Sequence, residues 1–152
     1  MSAALASGTL RTLHRMHRQL ADLTEQLAAG PRTVAIRTKN VQTAEAKRVT
    51  AQDDVKRARM AADQKQLQLK SAEAKILDLE AKLNACKTNR EYQTLGDQIA
   101  ADRMATKVLE DEILEALERI DGLKPAVPAA EAEIETAKKL LAEAQAKMQA
   151  ET

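Results

Sequence analysis

Four groups of side chains in this sequence are of types that could do chemistry, and their spacing decides what each can do. The densest acidic run, Glu110-Asp111-Glu112, would suit catalysis if the carboxylates met. On a helix, consecutive positions diverge by about 100°, so these three cannot converge on one substrate atom. Convergence inside a water-excluded pocket is what catalysis needs, and no catalytic residue is assigned. His14 and His17 are three apart and have no cysteine or further histidine nearby, so they lack the ligand set of a metal site. Beside Arg15 and Arg18 they read as a solvated basic face, and no metal ligand is assigned. Cys86 is the single cysteine. It excludes an internal disulfide and any multi-cysteine zinc site within the chain. Its place in an apolar repeat marks it as a small buried hydrophobe rather than a reactive thiol.

The fourth group is the run Cys86-Lys87-Thr88-Asn89-Arg90-Glu91-Tyr92. Thr88 and Glu91 have the S/T-x-x-E spacing of a capping box, and Asn89 is a competing cap residue one position on. One helix is expected to end near Lys87 and another to begin at about Arg90. Asn89, Arg90, Glu91 and Tyr92 then stand at the apex of a turn. There they can cap a helix, with Tyr92 packed over Cys86, or dock a protein partner, since aromatics favour interfaces.

The elements that position these residues follow from composition. The 152 residues include one Tyr, no Trp or Phe, four Gly and three Pro, with 31% charged. That is the composition of long helices and coiled coils, and burial must come from aliphatic side chains along a narrow seam. Leu13, Met16, Leu20, Leu23 and Leu27 draw a stripe down a first helix, from about Thr9 to Ala28. Met1 to Gly8 is expected to fray. Gly30-Pro31 suits a helix end followed by a helix start, so residues 1–30 are read as a separate N-terminal helix and 31–152 as the hairpin. From Val34 the a positions are Val41, Arg48, Val55, Ala62, Leu69, Ile76 and Leu83, and the d positions run from Arg37 through Ala44, Ala51, Ala58, Lys65, Ala72 and Leu79 to Cys86. Sustained heptads of this kind predict a coiled coil. After the turn, Leu95, Ile99, Leu109, Ile113, Ala116, Ile120 and Leu123 share one frame, with Asp102 and Thr106 as polar interruptions. The frame persists through Val127, Ala130, Ile134 and on to Met148. Pro125 and Pro128 should bend or break the helix there.

Folding the chain back at the turn, with paired residue numbers adding to 178, sets seam positions against seam positions. Leu83 then faces Leu95, Leu79 faces Ile99 and Ala58 faces Ile120, so small faces large in many layers. Lys65 opposite Ile113 and Arg37 opposite Leu141 fit only if their stems cover the seam while the charges reach water. The expected fold is all-α: a long antiparallel coiled-coil helical hairpin with proline kinks and its tip at 87–92.

Net charge is +1, but unevenly spread. Residues 1–48 carry eight Lys/Arg against three Asp/Glu, and residues 109–152 five against eleven. The two ends are complementary, which favours folding back over parallel self-pairing. The basic residues Arg11, Arg15, Arg18, Arg32, Arg37, Lys39, Lys47 and Arg48 also support a second reading, nucleic-acid binding. Against it, no aromatics interleave for base stacking. No secretory signal or membrane span is legible, which points to a cytoplasmic protein without membrane insertion. Leu67, Leu114 and Leu117 near the seam edges leave self-association into a homo-oligomer open.

The run Lys87-Thr88-Asn89-Arg90-Glu91-Tyr92-Gln93-Thr94-Leu95, then Gln98-Ile99, then Leu109-Glu110-Asp111-Glu112-Ile113-Leu114 resembles the coiled-coil region of the bacterial zinc-ribbon coiled-coil proteins. These share an N-(K/R)-E-Y tip and an L-E-D-x-I-L stretch near twenty residues later, and the Gly-Pro after a short first helix also fits. The resemblance implies a long kinked hairpin followed by a four-cysteine zinc ribbon. It implies a role in flagellar or type III secretion assembly for some members, with nucleic-acid binding also proposed for the family. This chain has no C-x-x-C pair before Thr152. Zinc would belong to a ribbon outside these residues, and no cofactor is expected within them. The function expected is that of a non-enzymatic scaffold, adaptor or chaperone acting through a protein partner.

Overall fold

The computed structural model describes residues 2–152 and is all-α, with no strand among the described residues. Helix α1 spans Ser2–Ala85, α2 spans Asn89–Leu123 and α3 spans Ala126–Glu151. The boundaries differ from the sequence expectation at the N-terminal end. Residues 2–8 are helical rather than frayed, and the Thr9 and Thr12 hydroxyls donate back to the carbonyls of Leu5 and Gly8 at 2.8 and 2.9 Å. Gly30-Pro31 does not end a helix either, so the separate helices expected on its two sides are one element. A proline inside a helix removes one backbone donor and crowds the preceding turn. Here side chains occupy the carbonyls around it: Thr33 Oγ1 donates to Ala29 O at 3.0 Å and Arg32 Nε to Ala28 O at 3.3 Å. An Arg32–Glu25 ion pair at 2.9 Å also spans the proline, though both groups are well exposed and such pairs contribute little.

The chain divides into two compact units, one of Arg48–Pro128 and one of the residues on either side of it. In the Arg48–Pro128 unit, the second half of α1 packs on α2. Ile76, Leu79 and Ile99 are buried together, with Leu83 and Leu95 against them. Cross-helix ion pairs join Lys65 to Glu112 at 2.8 Å, Lys75 to Asp102 at 3.6 Å, and Glu80 to Arg103. From Lys65–Glu112 to the Lys75–Asp102 and Glu80–Arg103 pairs, later positions on α1 meet earlier positions on α2, which is the antiparallel sense. The buried residues of α2, namely Ile99, Thr106, Ile113 and Ile120, recur every seventh position. One interruption is satisfied locally, because buried Thr106 donates its hydroxyl to Arg103 O at 2.7 Å. Asp102 Oδ2 is enclosed without a hydrogen bond, and Lys75 Nζ answers its charge from beyond good hydrogen-bond range. Lys65 keeps its stem along the seam, but its charge meets Glu112 rather than water alone.

The α2–α3 junction is short. Lys124 N bonds Ile120 O at 3.0 Å, closing α2, and Val127 N bonds Lys124 O at 3.2 Å, opening α3. Pro125 lies between the helices and Pro128 in the first turn of α3. A first-turn amide has no intrahelical partner to lose, so both prolines are tolerated.

In the other unit, the stretch of α1 from Ala29 to Lys47 packs on α3. Ala44, Ala130 and Ile134 are buried, Lys47 pairs with Glu133 at 3.0 Å, and Gly30 lies against Met148. Contact again runs antiparallel. All of residues 2–28 are exposed.

Candidate functional site at the turn between α1 and α2

The turn is built by a cap. Thr88 is extended (φ −117°, ψ 148°), and its hydroxyl accepts from Glu91 N at 3.2 Å. Tyr92 N then donates to Thr88 O at 3.1 Å, the first backbone bond of α2. Thr88, rather than Asn89, is therefore the cap, and α2 begins at Asn89. Glu91 stands in the first helical turn, where a carboxylate complements the positive end of the helix dipole. Thr94 Oγ1 bonds Arg90 O at 2.9 Å one turn further on.

α1 ends at Ala85, and Cys86 is half-buried, with Sγ donating to Leu83 O at 3.1 Å. Asn89, Arg90, Glu91 and Tyr92 are all exposed, Tyr92 by 59%. Tyr92 stands opposite Cys86 in the expected register, with most of its ring left open to solvent. Tyr92 lies seven residues before Ile99, on the face of α2 turned to α1, but α1 ends at Ala85, so little of that helix stands across from the ring. The hollow beside Cys86 is lined by Lys82, Ala85, Thr88, Arg90, Glu91, Thr94 and Leu95. Sequence reasoning missed Lys82 in this hollow. Its signal was the four-residue step to Cys86, which stacks the two on one face of α1.

This arrangement offers an open hollow with mixed charge, beside an uncovered aromatic. It can hold a protein segment through hydrogen bonds and apolar contact. No cluster of three or more His, Cys, Asp or Glu residues suited to a metal ion occurs among the described residues.

The eight basic residues are scattered by the fold. Arg32 and Lys47 are engaged by Glu25 and Glu133, while Arg37 and Arg48 sit half-buried, the latter with its Nε enclosed. Lys39 is exposed. Arg11, Arg15 and Arg18 are exposed at steps of four and three, on one face of α1. No helix among the described residues is long and apolar enough to cross a membrane. The chain matches no family model, no curated protein and no solved structure.

Proposed function

We propose that the chain is a non-enzymatic interaction protein whose turn, at Asn89, Arg90, Glu91 and Tyr92, docks a protein partner while the paired helices support it. The observation that carries this reading is the exposure of Tyr92, the one aromatic side chain, on a turn already held by the Thr88 cap. A buried clasp would spend its ring on its own helices. An exposed ring beside a rigid turn loses little conformational entropy on binding and brings a large apolar contact. In keeping with the zinc-ribbon coiled-coil resemblance, the partner belongs to a bacterial assembly system of the secretion or flagellar kind. The chain serves it as adaptor or chaperone in the cytoplasm.

The pairing itself is proposed to be an antiparallel coiled coil. Supporting it, reduced exposure on α1 from Val34 to Cys86 falls on the a and d positions with few additions. Cysteines at Ala58 and Ile120, in a Cys86→Ser background, should crosslink within one chain. Crosslinks found only between chains would sink the pairing.

For the turn, Tyr92→Ala and Arg90→Ala should keep helicity and melting temperature while losing a partner that the wild-type chain recovers from bacterial extract. The docking reading fails if both variants stay folded and retain every partner. Nucleic-acid binding is the weaker alternative. It is left with Arg11, Arg15 and Arg18 as a grouped exposed set, and salt-sensitive DNA or RNA binding lost on their substitution would favour it.

A further inference from the structure

The apolar stripe on the first part of α1 has no second helix over it. Leu13, Met16, Leu20, Leu23 and Leu27, with Leu10 beside them, are 49–66% exposed. Their 3–4 spacing is continuous in phase with Val34 and Val41, which are partly covered where α3 lies alongside. The same seam therefore runs covered from Ala29 and bare before it.

We propose that a second copy of this chain covers the stripe, so that the protein self-associates through residues 10–27 of α1. Three observations favour a copy over other occupants. The first is charge. Every Arg, Asp and Glu between Thr9 and Leu27, namely Arg11, Arg15, Arg18, Asp22 and Glu25, falls on the helix face opposite the stripe. The flanks carry Thr12, Gln19 and Gln26 on one side and His17 and Thr24 on the other, with no Lys, Arg, Asp or Glu on either. Two such stripes meet without like-charge repulsion across the seam, which is the usual bar to self-pairing. An acidic or basic partner would instead find no charge near the seam to recognise.

The second is area. An extended leucine exposes on the order of 170–200 Å², so about 100 Å² per residue remains here to cover. Six residues on each of two copies then hold roughly 1,200 Å², the lower edge of the range for specific interfaces before the polar flanks are added. The third is shape. Leucine at both a and d forms knobs that a facing copy of the same helix can receive in its own holes. This surface is separate from the turn at 87–92, and neither proposal depends on the other.

The test is the mass of the full chain in solution, by sedimentation at a concentration of order 100 μM, where a dimer of micromolar dissociation constant is almost fully formed. The wild type should run at twice the chain mass of 16.6 kDa. Leu20→Glu with Leu23→Glu should weaken association by at least about tenfold, since both charges would be buried unpaired. Arg18→Glu, on the opposite face, should leave it unchanged. Circular dichroism checks that the variants stay helical. If the glutamate variant unfolds, Leu13→Gln with Leu27→Gln takes its place. A monomeric wild type overturns the proposal, as does a dimer that survives the stripe substitutions. So does a monomer that binds vesicles of phosphatidylglycerol through the stripe.

Discussion

A methyl group placed on Gly30 would lie 3.2 Å from Cγ of Met148, so this glycine of α1 lies directly under a side chain of α3. Gly96, within α2, meets nothing within 4 Å, and neither glycine has a positive φ. Gly96→Ala should therefore stabilise by about 0.5–1 kcal/mol, the ordinary helix-propensity difference. Gly30→Ala should gain less, because Met148 must give by a few tenths of an ångström, even though methionine adapts well. Chemical denaturation of the two variants checks the order. A larger gain at Gly30 would show that Met148 does not press on it.

Lys65 occupies a seam position and is held by Glu112 at 2.8 Å, with both side chains half-exposed. A pair so open to water contributes about 0–1 kcal/mol. Lys65→Met should therefore hold or raise stability, as apolar burial replaces the pair. Glu112→Ala should cost no more than about 1 kcal/mol, and less in high salt. Loss of several kcal/mol in Lys65→Met would mean that the pair specifies the packing.

At the turn, Thr88→Ala should cost ~0.5–2 kcal/mol through the lost acceptor for Glu91 N. Ile99, only 4% exposed, should cost ~2–5 kcal/mol on replacement by Ala. Tyr92→Ala should cost well under about 1 kcal/mol, as surface substitutions usually do. Thermal melts of the three rank them. A Tyr92→Ala melt as low as that of Ile99→Ala would make the ring a structural clasp and remove it from docking.

Pro125 and Pro128 sit between helices and in a first turn, so neither bears the ~3 kcal/mol penalty of a helix-interior proline. Replacing either by Ala should change stability by less than about 1 kcal/mol, with the relief of strain offset by a more flexible unfolded chain. A gain of ~3 kcal/mol per site would show that the prolines break a helix that would otherwise run on from α2 into α3.

Much was determined by the sequence alone. The residues of reduced exposure on α2 and α3, from Leu95 and Ile99 through Ala130 and Ile134 to Met148, follow the heptad frame, because a helix of 3.6 residues per turn can turn only one stripe toward a neighbour. Thr88 with Glu91 marked the turn, because capping is a local exchange between a hydroxyl and an amide three residues away. The tertiary structure decided what depends on neighbours distant in sequence. Gly-Pro reads locally as a boundary, yet α1 passes through Pro31, with side-chain bonds at the flanking carbonyls and Met148 packed beside Gly30. Lys65 became an ion pair only because the fold brought Glu112 alongside. The stripe from Leu13 to Leu27 has the same periodicity as the covered seam and is bare. Periodicity states which face wants a partner, and only the course of another helix decides whether one is there.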